Sequence, residues 1–324
     1  MYQKYKKKII FSVVLGALVF LGLSIYANFN ELLEAFALYN WLMFPVILLL
    51  SLCNYVVRFY RWEYYTSVLK IKIERKLSFL IFLSSFIMSV TPGKIGEVFK
   101  SYLLKEQNGT PVSKSAPIVF AERITDFLSL VLLSLTGALM FGYGTNLIVG
   151  FGIMFILTVI LISNQKLSYG ILKYLEKFRF FSKFSHKMHT AYDSIYQMVK
   201  LKELIITVIL SIFAWAFECF SFYLVINGFN IPGTPHIDLL IATFIYGFAT
   251  IAGAATMLPG GLGATDASIT GLLVILAIPK SVSVASTLII RAATLWFAVI
   301  VGIVAVMVYQ KVSHKKINEI VLES

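Results

Sequence analysis

Residues 91–97 read TPGKIGE and interrupt an apolar stretch in which a bilayer-buried helix would otherwise continue. Proline removes a backbone hydrogen bond and glycine weakens a helix, so we expect the helix to break there. Residues 258–263 read LPGGLG and interrupt a second apolar stretch about half the chain later, with Asp266 just beyond. Broken helices in corresponding places of two halves are typical of transporter binding sites. We call residues 91–97 the first tip and residues 258–263 the second tip.

The composition indicates a protein whose solvent is lipid. Its 324 residues are 59% hydrophobic and 14% charged, with a mean hydropathy of +0.84. Several runs reach the roughly 20 apolar residues that span a bilayer, and no soluble core of this size could hide so much apolar surface. We therefore predict an all-α polytopic integral membrane protein, with residues 1–324 forming a single transmembrane domain.

The net charge of +12 is concentrated in a few blocks. Nucleic-acid binding would need a soluble basic face, and none is left once the spans are removed. The better interpretation is attraction to anionic lipid, and the expected partner is a membrane lipid with an anionic head group. The sequence leaves a homo-oligomer open.

The apolar runs predict about six full spans and two re-entrant helical hairpins, which together give eight or more helices. Basic residues cluster on one side of this arrangement, which predicts a multi-pass protein of the cytoplasmic membrane with both termini cytoplasmic. On this topology residues 28–40 form an outer loop, and Arg58 and Arg61 act as snorkelling anchors at the inner boundary. The predicted spans are 9–27, 41–57, 117–141, 147–163, 204–226 and 285–309, and the hairpin arms are 77–90 with 98–104 and 237–258 with 267–278.

The two halves have the same order of elements in reversed orientation. Repeat one covers about 41–141 and repeat two about 204–309, each with a span, a hairpin and a further span. Arg123 follows Pro92 by 31 residues, and Arg291 follows Pro259 by 32. Such inverted repeats place two half-buried sites near the midplane and allow rocking between inward-open and outward-open states. Between the repeats, a basic amphipathic segment at about 165–203 is predicted to lie on the cytoplasmic surface.

Charged residues at membrane depth cost about 2.5–3.5 kcal/mol each, so they need a reason to be there. Arginine suits phosphate through its two-pronged donor geometry, lysine suits it as a point charge, and glycines at a helix start leave backbone N–H groups free for an anion. The candidate substrate-binding residues are accordingly Gly93, Lys94, Glu97, Arg123, Gly260, Gly261 and Arg291.

The buried carboxylates have two interpretations, proton binding or ion pairing. The candidates are Glu122, Asp126, Glu218 and Asp266. Arg123 is expected to pair with Glu97 or Asp126, and the ion pairs could simply hold helices together. Glu218 lies alone in an apolar span, where it either binds a proton or makes a structural hydrogen bond. No metal site, P-loop or nucleophile–base set is apparent, so we expect neither a cofactor nor enzymatic activity.

These residues resemble a known family. TPGKIGE at 91–97, ERITD at 122–126, PGGLG at 259–263 with Asp266, and then Arg291 and Trp296 are similar to the flippase-like transmembrane family. That family is named for the membrane region of lysylphosphatidylglycerol synthases, the multiple peptide resistance factors. The resemblance covers nearly the whole chain and implies a lipid translocator, without the separate aminoacyl-transferase domain of the synthases.

The resemblance implies an aminoacylated phospholipid as one substrate, and stand-alone members resemble proteins linked to polyprenyl-phosphate sugars. We therefore expect a flippase that moves a phosphate-bearing lipid between leaflets: an aminoacylated or anionic phospholipid, or a polyprenyl-phosphate-linked lipid. The alternative is a non-transporting scaffold for cell-envelope lipid or glycan enzymes. The sequence leaves the lipid, the direction and the energy source open.

Overall fold

The computed structural model describes residues 2–91, 96–141, 145–229 and 235–313, and the chain is helical almost throughout. Short 3-10 turns cover Ser85–Met88 and Pro259–Gly261, and a π-helical turn covers Ala292–Trp296. The α-helices are α1 Tyr2–Tyr26, α2 Phe29–Leu38, α3 Met43–Val68, α4 Arg75–Ser84, α5 Phe99–Asn108, α6 Val112–Ser115, α7 Pro117–Phe141, α8 Thr145–Ser163, α9 Gln165–Leu175, α10 Arg179–Ser182, α11 Ser185–Met198, α12 Leu201–Ile226, α13 Leu239–Ala255, α14 Ala264–Ile275, α15 Lys280–Arg291 and α16 Phe297–Ser313.

The protein is a polytopic all-α membrane protein. Within the described residues, α3, α8, α12 and the continuous rod Lys280–Ser313 are each long and apolar enough to cross a bilayer. Val13–Tyr26 of α1 and the following α2 pass the same test together but are bent by 94°. Helix α7 has 25 residues and coincides with the predicted span 117–141.

Two predicted boundaries were wrong. Residues 28–40 are not an irregular loop, because α2 occupies most of them; the Asn28 side chain accepts a hydrogen bond from the Asn30 N–H at 3.2 Å and caps the helix. The predicted span 41–57 also ends too early. Helix α3 continues to Val68, so the basic residues that mimicked a membrane boundary lie inside the helix.

The first helices of the two repeats, α3 and α12, run antiparallel against each other. Tyr39, just before α3, pairs with Phe229, just after α12. Further along, the Asn54 side chain donates to the Ala214 carbonyl at 2.6 Å. Rising numbers on α3 therefore meet falling numbers on α12, which is the relative orientation that inverted repeats require.

One hairpin arm of each repeat packs against a helix of the other repeat. Helix α4 of the first hairpin packs on α16, and α13 of the second hairpin packs on α7. Both contacts are close. A Cβ on Gly302 would overlap the backbone nitrogen of Ile87, and a Cβ on Gly247 would overlap the Ser134 hydroxyl. This reciprocal exchange supports the predicted correspondence of the two halves.

The basic segment between the repeats is helical, as predicted. Helices α9 and α11 pack on α8, and α11 also packs on α7. The Tyr192 hydroxyl donates to the Ile162 carbonyl at 3.0 Å and fastens α11 to the end of α8. Helix α9 leaves a stripe of apolar side chains uncovered: Leu167, Ile171, Tyr174 and, just beyond its end, Phe178.

Candidate functional site

The two breaks meet inside the protein. Val90, just before the first tip, is fully buried in a cluster with Leu262, Leu295 and Val299. A Cβ on Gly260 would lie 3.7 Å from the Val90 Cα, so the backbones themselves are adjacent. Residues 92–95, which include the predicted site residues Gly93 and Lys94, lie outside the described part of the chain.

The second tip has a backbone that glycine makes possible. Gly260, Gly261 and Gly263 have φ angles of 59°, 66° and 86°. Residues with a Cβ rarely adopt this left-handed region, whereas glycine does so readily. The consequence is a turn that ends α13 and starts α14 without a continuous helix between them.

A carboxylate at the end of the first tip and another just beyond the second tip each pair with an arginine of a later helix. In repeat one, Arg123 Nη2 lies 3.2 Å from Glu97 Oε2. In repeat two, Arg291 Nε lies 2.9 Å from Asp266 Oδ1. The sequence separations are 26 and 25 residues (123 − 97 and 291 − 266), so the two ion pairs occupy equivalent places in the repeats.

The second of these pairs also supports the tip. Arg291 Nη2 donates to the Gly260 carbonyl at 2.6 Å. Asp266 Oδ2 accepts from the Gly263 N–H at 2.8 Å, and its side chain is completely buried. Arg291 and Asp266 therefore fix the broken backbone from both sides, in addition to pairing with each other.

Asp126 is the centre of a buried network that we call the Asp126 cluster. Its carboxylate lies 2.6 Å from Arg61 Nη1, 3.2 Å from Arg58 Nη1 and 3.1 Å from Arg123 Nη2. The Ser211 hydroxyl and the Trp215 indole N–H also donate to it, at 2.8 Å and 3.1 Å. The expected pairing of Arg123 is thus confirmed for both candidate partners, since Arg123 bridges Glu97 and Asp126.

Arg58 and Arg61 are part of this site, and their interpretation as snorkelling anchors was wrong. Both are buried, at 9% and 2% exposure. The signal that could have revealed them is their spacing: with Asn54 and Tyr65 they occupy positions i, i+4, i+7 and i+11, one continuous polar face of α3. A run of basic residues that only anchors a helix at the interface needs no such face.

Glu218 is not isolated, because α3 and α13 bring it partners from distant parts of the sequence. Its Oε2 accepts a hydrogen bond from the Tyr246 hydroxyl at 2.7 Å. Its Oε1 lies 3.6 Å from Arg58 Nη2, too far for a strong hydrogen bond. Arg58 therefore stands between two carboxylates and is closer to Asp126 than to Glu218.

Glu122 has a different environment from the other candidates. Its Oε2 lies 2.6 Å from the Nζ of Lys100, a residue that was not predicted as part of any site. The ammonium group also lies 4.6 Å from the centre of the Trp62 ring. Both charged side chains are almost inaccessible to solvent. This burial is what we expect of an ion pair that holds α5 and α7 together.

The helix that carries Arg291 is irregular just beyond it. Residues Ala292–Trp296 form a π-helical turn, which frees carbonyl groups for other partners. The Ser51 hydroxyl donates to the Ala293 carbonyl at 2.9 Å, and the Tyr55 hydroxyl donates to the Thr294 carbonyl at 3.4 Å. These bonds tie α3 of repeat one to the irregular turn of repeat two, beside the tips.

Comparison with known proteins agrees with this architecture. Two archaeal proteins described as UPF0104 membrane proteins align with most of the chain. The one from Methanocaldococcus jannaschii is 22% identical over 94% of this chain and 96% of its own length. The one from Methanothermobacter thermautotrophicus is 23% identical over 80% of this chain and 83% of its own length. The family model described as the lysylphosphatidylglycerol synthase TM region matches residues 9–302. The chain therefore belongs to the family of the lysylphosphatidylglycerol synthase transmembrane region.

Proposed function

We propose that this protein is a lipid flippase that moves a phosphate-bearing lipid between the leaflets of the cytoplasmic membrane. The observation that supports it most is the contact between two broken, oppositely oriented hairpins, each followed by an equivalent arginine–carboxylate pair. Inverted repeats joined at such breaks can rock between two states that open to opposite faces of a membrane. Membership of a family named for a lipid synthase's membrane region is consistent with a substrate drawn from the bilayer.

Arg123 is the residue best suited to receive the head group. Its side chain is 21% exposed, the most accessible arginine of the Asp126 cluster as described. Its Nε is buried and has no hydrogen-bond acceptor among the described residues, so in this proposal it gains a partner only when the side chain moves to meet the phosphate. In the proposed complex a phosphate group replaces Glu97 as the ion-pair partner of Arg123, while the lipid tail stays in the bilayer. Lys94 and Gly93, which lie outside the described residues, are proposed to contribute a further charge and a backbone N–H.

The proposed substrate class comprises aminoacylated or anionic phospholipids and polyprenyl-phosphate-linked lipids. Binding exchanges one ion pair for another, so the protein acts by recognition and movement, without enzymatic chemistry. The proposed orientation has both termini in the cytoplasm, and the clustering of basic residues on one side of the predicted topology supports it. The lysine-rich segment 165–203 then faces the anionic inner leaflet.

The direct test is a reconstituted translocation assay with a fluorescent phosphatidylglycerol, whose exposure to an external quencher reports movement between leaflets. Arg123→Ala and Lys94→Ala are expected to abolish most of the transport, and Arg291→Ala to lose both transport and stability because it also supports the second tip. The matched control is Arg75→Ala, an exposed arginine at the start of α4. Transport that is unchanged in both Arg123→Ala and Lys94→Ala would contradict the assignment of the head-group site.

A scaffold for envelope enzymes is the second candidate, and the exposed lysines of the basic segment favour it. Lys166, Lys173 and Lys177 lie on one flank of α9 and its end, beside the uncovered apolar stripe. Deleting the whole segment would be uninformative, because Tyr192 and Val199 belong to a buried cluster with Ile124 and Ile162. Replacing the three lysines by glutamine keeps the fold. A scaffold loses its cellular function with this variant, whereas a flippase keeps its activity in liposomes.

A further inference from the structure

We propose that Glu218 is a proton-binding residue whose protonation leaves the Asp126 cluster with excess positive charge, so that a proton and a phosphate head group bind together. This inference rests on the proposed function and adds its coupling ion. It is carried by the contacts of the buried carboxylates, which differ sharply from one another.

Four of the carboxylates have a close cationic partner. Glu97 has Arg123 at 3.2 Å. Asp126 has three arginines within 3.2 Å. Glu122 has a lysine at 2.6 Å, and Asp266 has an arginine at 2.9 Å together with a backbone N–H at 2.8 Å. Protonating any of them would break a close ion pair in a site that is shielded from solvent. It would leave a buried cation unpaired, which is strongly unfavourable.

Glu218 is the exception among the described carboxylates of this region. Among the described residues, the cation that pairs with it is Arg58 at 3.6 Å, and that arginine has a closer partner in Asp126. In the same part of the chain its hydrogen bond comes from the Tyr246 hydroxyl, which can turn to accept from a protonated carboxyl group instead. A proton on Glu218 therefore breaks no close ion pair.

Among the described buried carboxylates of this region, Glu218 also has the most accessible side chain. Its side chain is 14% exposed, against 9% for Glu97, 4% for Asp126, 3% for Glu122 and 0% for Asp266. A proton carrier must exchange with solvent, and this difference in exposure favours Glu218 for that task. The proton comes from water and forms an O–H bond on one carboxyl oxygen, with no other bond made or broken.

This one proton changes the net charge of the Asp126 cluster from zero to positive. Its described members are the three arginines Arg58, Arg61 and Arg123 and the three carboxylates Glu97, Asp126 and Glu218, which cancel. With Glu218 neutral, three positive charges face two negative ones. The excess charge attracts a phosphate group, and because the attraction is mutual, a bound phosphate also favours the proton.

The other groups around Glu218 allow this role. Tyr55 and Arg58 face it from α3, Tyr246 faces it from α13, and Asp126 on α7 reaches it through Arg58. Arg291, at the end of α15, interacts electrostatically with Tyr246. The Arg58 side chain has two arrangements in this proposal. It is shared between Glu218 and Asp126 when Glu218 is charged, and it turns to Asp126 when Glu218 is neutral.

The first experiment asks whether Glu218 binds a proton, and it needs no transport. Infrared difference spectra of the purified full-length protein are recorded from about pH 8 down to about pH 4, close to the reference value of a glutamate carboxyl group. We expect a carboxylic-acid C=O band that is missing in Glu218→Gln and retained in Glu203→Gln. Glu203 is a matched control because it lies in the first turn of the same helix, away from the cluster. A spectrum unchanged by Glu218→Gln overturns the proposal.

The second experiment asks whether this proton drives lipid binding. Fluorescent phosphatidylglycerol movement is compared at about pH 5 and about pH 8 in wild type, Glu218→Gln and Glu203→Gln. We expect transport to rise on the order of tenfold on acidification in wild type and in Glu203→Gln, the size of a typical coupling between sites. Glu218→Gln should show the same rate at both pH values.

The outcomes separate this inference from the proposed function. If wild type moves the lipid and Glu218→Gln keeps the full pH dependence, the coupling is wrong and the flippase stands. If wild type moves no lipid at either pH, the proposed function and the coupling both fail, while the infrared band still decides whether Glu218 takes up a proton.

Discussion

Lys100 Nζ lies 2.6 Å from Glu122 Oε2, and both side chains are sealed from solvent between α5 and α7. Removing one partner of a buried pair leaves an uncompensated charge, which costs about 3–5 kcal/mol, whereas replacing both partners is close to neutral. We therefore expect Lys100→Met and Glu122→Gln each to lower the unfolding temperature in detergent markedly. The double variant should recover most of the loss.

The control for that pair is Lys105→Met, an exposed lysine on the same helix, which should leave the unfolding temperature unchanged. If the double variant is as stable as wild type but transports nothing, the pair has a function beyond holding the helices together. If the two single variants are as stable as wild type, the buried pairing described here is incorrect.

The contact between Gly302 on α16 and the backbone of Ile87 predicts a second effect on stability. A Cβ there has no room, so Gly302→Ala must push α16 away from the first hairpin. Gly271 on α14 is a matched control with nothing within 4 Å of the added atom. Gly271→Ala should be neutral or stabilising by up to about 1 kcal/mol through helix propensity. Thermal unfolding of the two variants side by side measures the difference, and equal stabilities would contradict the close approach.

Helix α9 predicts where the basic segment lies relative to the bilayer. Its exposed apolar stripe follows directly from the membrane-spanning α8, so the stripe should enter the headgroup–acyl boundary. A fluorescent label at Tyr174→Cys, on the stripe, should be quenched by lipid-borne quenchers. A label at the neighbouring Lys173→Cys should be quenched mainly by aqueous ones. Identical quenching at both positions would mean that the stripe is covered by something other than lipid.

The same segment predicts a pH effect outside the membrane. Hydrogen bonds from Ser185, at 2.5 Å, and from His189, at 2.7 Å, hold the pKa of the Glu176 carboxyl below its usual value. A carboxyl whose folded pKa is lowered stabilises the fold above its unfolded pKa and loses that contribution as the pH falls through the folded value. The protection factors of the amides across residues 176–189, which correct for the intrinsic slowing of exchange in acid, should therefore fall below about pH 4. Ser185→Ala removes the main cause and should weaken this acid dependence; if it leaves the dependence intact, the hydrogen bond is not responsible.

Much of the fold could be predicted because the membrane leaves few alternatives. Apolar runs of bilayer length must be helical, and a proline–glycine break with charges at that depth is too unfavourable to be incidental. The nearly equal spacing of the tip proline and its arginine in the two halves predicted the repeat, and the equivalent pairs Glu97–Arg123 and Asp266–Arg291 support it.

The positive-inside pattern predicted a wrong helix boundary where the basic residues are buried inside the protein. Arg58 and Arg61 follow an apolar run just as interfacial anchors do, so the predicted span ended 11 residues before α3 does (68 − 57). Their burial depends on Asp126, which lies more than 60 positions away and is brought near by the packing of α3 against α7 and α12. Local patterns cannot show a partner supplied by tertiary structure.

The partners of Glu218 illustrate the same limit. Tyr246 belongs to the hairpin arm of its own repeat and Arg58 to the first helix of the other, so neither is near it in sequence. From the sequence alone, any of several polar residues on these helices could have been chosen as the partner of Glu218. The antiparallel register of α3 and α12 selects among them, and that register depends on the whole fold.

The central claim is that the two tips meet at a place inside the membrane domain that water and a lipid head group can enter. Cysteines at Lys94 and Leu258, introduced into a variant without Cys53 and Cys219, should react with a membrane-impermeant maleimide in sealed vesicles. A cysteine at Leu139, on the exposed face of α7, is the lipid-facing reference and should not react. Reaction at 94 and 258 but not at 139 is the predicted result; labelling at 94 and 258 no higher than at 139, from either face, would contradict the claim.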